Sequence, residues 1–230
     1  DRRRRGRRRD LVSAFVESIE RLRDAGANRA GDIPSASLAA RLETLRSDGL
    51  GAFEANGLPT RRDERFKGTN LAPIEQLDLA RIGASDTTSV SNDPRVAAFA
   101  PDLLFVDGRI VQAGAARAEL PAGVHVLSLA EAASEMPDVV AAKLGARVDV
   151  KDDAFAALNT ALFEDAAVVI LDEGARPGRA IRILSLATAD AADRASANFA
   201  RVLFVAGASS EGMILHESAE VGDAPGLTSL

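Results

Sequence analysis

The side chains of this chain that could carry out chemistry are few, and its two histidines are the first candidates. His125 lies in an apolar run that predicts a β-strand, so we expect it to face solvent or a polar pocket. His216 ends the apolar run 213–215 and is followed by Glu217. A His–Glu pair could serve acid–base chemistry, but neighbours on a strand point to opposite faces. We therefore nominate neither histidine as catalytic.

The carboxylates do not predict a reaction centre either, and the chain has no cysteine that could form one. The adjacent acids Asp152–Asp153 and Asp172–Glu173 stand where a helix start and a turn are predicted, which is typical of capping and surface charge. The sequence contains no Cys, hence no disulfide and no thiolate ligand, and two histidines argue against a histidine-based metal site. We predict no catalytic residue and no metal ligand, and leave cofactor-binding residues unassigned.

The charge of the chain is unevenly distributed. The net charge is −6, yet seven arginines fall at Arg2–Arg5 and Arg7–Arg9. Such a run can bind nucleic acid or anionic lipid. The absence of interleaved aromatic residues and the acidic remainder favour a disordered basic tail over 1–9, or sequence from a misplaced gene start. We predict neither a nucleic-acid nor a membrane partner. With no apolar run of 18 residues and no signal-peptide pattern, a cytoplasmic location is expected.

Helical periodicity organises the N-terminal part, predicted as a helical domain over 10–80. Apolar residues recur at helical spacing from residue 11 to 22, and Gly26 ends this helix. Ser35 is the expected N-cap of a second helix, with a break at Asp48–Gly49 and an end at Gly57. A polar linker is predicted over 81–100.

Residues 101–164 are predicted to be a small α/β connection. The turn Asp107–Gly108 lies between apolar runs of 103–111, a strong hairpin signal. A strand over 124–129 and a short helix ending before Pro137 follow, and acidic residues begin a helix over 152–163.

Four short apolar runs then follow one another, at 167–171, 181–186, 202–206 and 213–215. Glycine- and aspartate-bearing corners separate them, which predicts strands joined by turns. No helix long enough for a βαβ crossover lies between the first two. The spacing alone is compatible with a meander, a sandwich or the successive strands of a β-solenoid.

The loop after the second helix carries the most distinctive residues, Gly-Leu-Pro-Thr-Arg-Arg-Asp-Glu at 57–64. Its basic side chains could clamp an anion, but a solvated charged face is the simpler interpretation. This segment resembles the N-terminal region of the SufD family, and so does the segment 153–172. Phe66 and Gly68 stand where that family usually has Trp and Tyr, which predicts a divergent member or a loosely packed junction.

The resemblance implies an α+β chain whose residues 165–230 begin a right-handed parallel β-helix. It implies a non-enzymatic component of the SUF iron–sulfur cluster assembly scaffold, with SufB-like and SufC-like proteins as partners. No cofactor is expected on this segment alone, because the assembled complex handles the cluster. The histidine implicated in SufD lies late in the β-helix, so we do not assign its role to His216. We expect the chain to be incomplete.

Two other functions stay open at this point. One is a β-solenoid or β-sandwich enzyme acting on carbohydrate or acyl substrates, which would need a His or carboxylate cluster on one strand face. The other is a generic protein-interaction module that uses the N-terminal helical hairpin.

Overall fold

The computed structural model describes residues 15–24, 33, 35–80, 90, 92–188, 195–221 and 226–229. The predicted basic tail (1–9) and residues 81–89 of the predicted linker lie outside these ranges. The helices are α1 (15–24), α2 (Ala36–Asn56), α3 (Pro94–Phe99), α4 (Leu129–Glu135), α5 (Pro137–Lys143) and α6 (Ala154–Leu162). The strands are β1 (Leu79–Ala80), β2 (Leu103–Val106), β3 (Arg109–Ala113), β4 (Val124–Ser128), β5 (Asp165–Leu171), β6 (Ile181–Thr188), β7 (Ala195–Ala206), β8 (Ile214–Val221) and β9 (Gly226–Ser229). Single 3₁₀ turns occur at Glu64–Phe66, Ile74–Gln76 and Ala115–Glu119.

Helix α2 begins and ends where its sequence predicts. The Ser35 hydroxyl accepts a hydrogen bond from the Leu38 amide at the N-terminus. At the C-terminus Gly57 has φ 66°, and its amide donates to the Phe53 carbonyl. The left-handed φ needs no strain at glycine, so the chain can leave the helix sharply there.

The predicted break at Asp48–Gly49 is wrong, because α2 runs through it without interruption. Gly49 is buried against α6, and a Cβ atom there would lie 2.7 Å from the Ala161 nitrogen and 2.8 Å from the Ala157 carbonyl oxygen. Any larger residue would push the two helices apart. The glycine therefore serves a close helix–helix contact instead of ending the helix.

The predicted β2–β3 hairpin is confirmed. Asp107 and Gly108 form its turn with φ 51° and 81°, the positive values that a type I′ turn requires. The Asp107 carboxylate also accepts hydrogen bonds from the amide and the hydroxyl of Thr188, each at 2.7 Å. This contact joins the hairpin turn to the end of β6.

The segment between β4 and β5 is fixed by two helix caps. Ser128 and Glu131 form a capping box at the start of α4, which ends at Glu135, before Pro137. Asp153 accepts from the amides of Phe155 and Ala156, each at 3.0 Å, and so begins α6. The expected capping role of the Asp152–Asp153 pair is therefore confirmed for Asp153.

Two sheets of mixed strand direction make up the rest of the described chain. The first has the order β1-β7-β5-β4 with β9 also paired to β7, and the second has the order β3-β2-β6-β8. From β5 onward each strand pairs in parallel with the strand two places later: β5 with β7, β6 with β8 and β7 with β9. Consecutive strands thus lie in different sheets, which rules out a meander.

The two faces of β5 and β7 pack in different layers. Val168, Ile170 and Phe199 face the helices, together with the buried side chains of α2 and α6. Val169 and Ala200 face the second sheet, where they pack with residues of β2 and β6. This alternation is the period-two pattern of a strand covered on both sides.

The predicted strand ends need correction. Strand β7 begins at Ala195, although its apolar run starts at Val202, because residues 195–200, most of them small, are buried by tertiary packing. Met213 lies outside β8 and is 63% exposed, and β8 extends to Val221. No helix within the described ranges is long and apolar enough to cross a membrane.

Candidate functional site

The strands β6 and β8 bring together two side chains that are far apart in sequence. The Ser185 hydroxyl and the His216 Nε2 are 2.8 Å apart, in the space between the two sheets. Burial lowers the pKa of His216, which favours the neutral imidazole that can accept the serine proton. A serine beside a neutral histidine supplies a nucleophile and its base, and a complete arrangement also has a third group that orients the base. Within the described residues, no carboxylate hydrogen-bonds the other ring nitrogen.

The expected orientation of His216 and Glu217 is confirmed. His216 is half-buried and faces inward, whereas Glu217 is exposed on the opposite face of β8. The two side chains therefore do not form an acid–base pair. Ser185 cannot be recognised from the sequence as the partner of His216, because the pairing of β6 with β8 decides that contact.

A cavity of about 330 Å³ adjoins Ser185 between the sheets. Asn198 lines it and is only 4% exposed, yet neither its Oδ1 nor its Nδ2 has a hydrogen-bond partner among the described residues. An unsatisfied buried amide costs about 1–3 kcal/mol. Most of the remaining lining residues are small or polar, such as Gly108, Ser218 and Thr228, and the lining also includes Leu186 and Glu220.

On the helix side of β7 lies a second polar cluster, centred on Arg201. Its Nε and Nη2 donate to the Asn159 carbonyl oxygen at 3.0 and 2.7 Å, and Nη2 also donates to the Thr160 hydroxyl at 2.7 Å. The guanidinium lies 4.8 Å from the centre of the Phe163 ring. Asn159 in turn donates to the carbonyls of Ala200 and Ser229, so the cluster connects α6 with β7 and β9.

Arg201 is 8% exposed and forms no ion pair with any described carboxylate. Burial lowers its pKa to about 10, and its Nη1 has no hydrogen-bond partner among the described residues. Buried charges are normally paired, because removal from water is costly. The three hydrogen bonds to neutral groups and the aromatic ring offset only part of the cost of burying this cation.

A groove of about 890 Å³, here called the β7 groove, runs beside Arg201. One wall is formed by residues 142–148, which are the end of α5 and the turn that follows it, and the other is β7 from Arg201 to Ala206, with His216 at its margin. Lys143, Arg147 and Arg201 are the charged side chains of this lining, which contains no Asp or Glu. The groove is therefore cationic, in a chain of net charge −6.

The other residues considered from the sequence are exposed or half-buried. His125 Nε2 is 3.2 Å from an Asp172 carboxylate oxygen, in a contact between β4 and the turn after β5. Glu173 is exposed in the same turn. In the loop 57–71, Phe66 packs on Phe155 with 5.8 Å between ring centres, and a side chain at Gly68 would meet nothing within 4 Å. No group of three His, Asp or Glu residues in the described ranges could hold a metal ion.

Comparison with known families decides the class of protein. The model of the SufBD protein N-terminal region matches residues 28–183. The chain belongs to the SufB/SufD family. This places it in the SUF system of iron–sulfur cluster assembly. A comparison with curated proteins found no match.

The span shared with the SufB/SufD family runs from before α2 into β6. It contains the loop 57–64 and the segment 153–172, so the resemblance noted at both places is confirmed at the level of this family. Ser185, Asn198, Arg201 and His216 lie beyond the matched span. Their arrangement is thus an observation of this structure and does not follow from the match.

Proposed function

We propose that the chain is a SufD-like component of the SUF scaffold, acting without catalysis of its own beside a SufB-like protein and a SufC-like ATPase. Membership of the SufB/SufD family across 28–183 is the observation that carries the proposal. The resemblance of residues 57–64 and 153–172 to SufD sequences favours the SufD side of the family. The iron–sulfur cluster is cargo of the assembled complex, in the cytoplasm.

The strand arrangement supports a β-helix for residues 165–230. Asp165 of β5 lies beside Ala200 of β7, and Ile181 of β6 lies beside Ile214 of β8. In each sheet, therefore, a strand lies beside the strand that comes two places later along the chain. A solenoid stacks its coils in this way, each strand pairing with the equivalent strand of the next coil. We propose that β5–β6, β7–β8 and β9 are successive coils of a right-handed parallel β-helix.

Co-purification tests the proposed partnership. The chain is expressed with an affinity tag together with the SufB-like and SufC-like proteins of the same genome, and the eluate is examined by light scattering. We expect a discrete heteromeric complex, and we expect the genes together to restore a cluster-dependent enzyme in a SUF-deficient host. A tagged protein of similar size and charge is the control. If the chain elutes alone in the presence of both proteins, the proposal fails.

One observation favours a second function, hydrolysis of an acyl or carbohydrate substrate. The Ser185–His216 pair has the distance of a nucleophile and its base. Hydrolysis of nitrophenyl esters or glycosides that disappears in the variant Ser185→Ala, with no SUF partner bound, would establish it. We expect no such activity.

A further inference from the structure

The C-terminal end of helix α2 carries the single Asn-Gly pair of the sequence, Asn56–Gly57. An asparagine before glycine is especially prone to lose its side-chain amide, because the next backbone nitrogen can attack the side-chain carbonyl carbon and glycine has no Cβ atom to hinder the approach. Asn56 is exposed, so water reaches the reacting atoms. The other asparagines of the chain all precede residues that carry a side chain.

The fold opposes this reaction at two atoms. The Gly57 amide, which contains the attacking nitrogen, donates a hydrogen bond to the Phe53 carbonyl at 2.7 Å. The Asn56 Nδ2, which is the leaving nitrogen, donates to the Lys151 carbonyl at 2.8 Å. Both bonds must open before the Gly57 nitrogen can reach the Asn56 Cγ atom. Helix ends open far more often than the whole chain unfolds, so the last turn of α2 controls the reaction.

Asn56 also makes one of three contacts that hold the loop 57–71 to the start of α6. In the second contact, the Arg65 guanidinium lies 3.4 Å from an Asp153 carboxylate oxygen. The third is the packing of Phe66 on the ring of the first turn of α6. Of the three, only the Asn56 contact depends on a side-chain amide. Loss of that amide would therefore weaken the attachment of the loop.

We propose that Asn56 is a modification site at which the chain deamidates without an enzyme, at a rate set by the opening of the last turn of α2. The Gly57 nitrogen forms a bond to the Asn56 Cγ atom, its proton passes to the departing amide nitrogen, and ammonia leaves a cyclic imide. Water then opens the imide at either carbonyl, which gives aspartate or isoaspartate. Water is the only co-reactant, and no group is oxidised or reduced.

The product cannot make the contact that Asn56 makes. A carboxylate at this position has no hydrogen to donate, and its oxygens would face the Lys151 carbonyl oxygen. Isoaspartate also lengthens the backbone where the left-handed φ of Gly57, 66°, sets the direction of the loop. Deamidation thus loosens the loop 57–71. The proposal goes beyond the SUF assignment and does not depend on it, since it needs only the chemistry of this helix end.

Peptide mass spectrometry of the full chain, incubated in warm neutral buffer, tests the proposal. We expect Asn56 to change into a mixture of aspartate and isoaspartate. Asn70, which is exposed but followed by Leu71, is the internal control and should stay unchanged. In urea that unfolds the chain, the rate at Asn56 should rise about tenfold, because the two hydrogen bonds no longer hold the reacting atoms.

Variants assign control of the rate to the helix end and its loop. Arg65→Gln removes another contact of the loop without touching the reacting atoms, so the last turn of α2 should open more often. We expect about threefold faster deamidation in the folded chain and an unchanged rate in urea. Arg61→Gln, an exposed residue of the same loop, is the matched control and should change neither rate. Asn56→Asp reproduces one product, and hydrogen exchange in residues 57–66 should be faster in this variant.

Three results would overturn the proposal. One is deamidation of Asn56 that is no faster than that of Asn70. Another is an equal rate at Asn56 in the folded and the unfolded chain, since the helix end would then control nothing. The third is hydrogen exchange in residues 57–66 that Asn56→Asp leaves unchanged. None of these results bears on co-purification with SufB-like and SufC-like proteins, so the two proposals succeed or fail separately.

Discussion

Two regions of the molecule are packed in different ways. One is the contact between α2 and α6, and the other is the end formed by β7, β8 and β9. The helix contact is apolar and close, with Leu38, Leu42 and Leu158 fully buried and Gly49 against the backbone of α6. At the β7–β9 end, Asn198 and Arg201 are also buried but leave polar atoms unpaired among the described residues. The first region is almost entirely apolar; its exception is Arg46 of α2, whose Nη1 also lacks a hydrogen-bond partner among the described residues. The second holds polar groups that a ligand, water or another chain could satisfy.

The largest effect we predict tests the closeness of the helix contact. Gly49→Ala should lower the free energy of unfolding by about 2–3 kcal/mol, because the new Cβ would overlap the backbone of α6. Gly51→Ala, two residues along the same helix, is the matched control, since a Cβ there meets nothing within 4 Å. It should raise stability by about 1 kcal/mol through helix propensity. Chemical denaturation measures both, and equal effects would refute the close contact.

The second prediction compares two buried asparagines. Asn198→Leu should raise the free energy of unfolding by about 1 kcal/mol, because it removes an amide without partners in the described chain. Asn159→Leu should lower it by about 2–3 kcal/mol, because it removes hydrogen bonds to Ala200, Ser229 and Arg201. Denaturant titration of both variants gives the answer. A loss of stability in Asn198→Leu would show that its amide is already satisfied inside the cavity.

The same comparison shows what could be predicted from the sequence. Helical spacing, the Ser35 cap and the Asp107–Gly108 turn are local signals, and the structure confirms each. The break predicted at Gly49 is wrong because a glycine inside a helix usually signals an end. The helix α6 that packs against Gly49 begins about a hundred residues later, so the residues around Gly49 do not reveal this contact.

The polar residues of the β7–β9 end could not be found in this way. Ser185 and Arg201 stand beside or within apolar runs, where a single polar residue on a strand is usually exposed. Their burial depends on strand pairing and on contact with α6, which are long-range features. The resemblance to known sequences predicted the family, whereas the partners of these side chains emerged only from the fold.

The smallest effect we predict is a dependence on pH at the β7–β9 end. Burial lowers the pKa of His216, so the folded state binds this proton less readily than the unfolded chain does. Stability from this group is therefore complete above its ordinary pKa of about 6.5 and declines as the pH falls through that value. His216→Gln should flatten this part of the stability curve. If the dependence of stability on pH is unchanged in the variant, His216 is not its source.

The central proposal is that this SufB/SufD-family chain works as an assembly partner of SufB-like and SufC-like proteins. Hydrogen exchange, followed by mass spectrometry, on the chain alone and with its SufB-like and SufC-like proteins tests it most directly. We predict slow exchange in α2 and α6 in both samples, and exchange in β7 and β8 that is faster alone and slows in the complex. Identical profiles across the whole chain in the two samples would contradict the account.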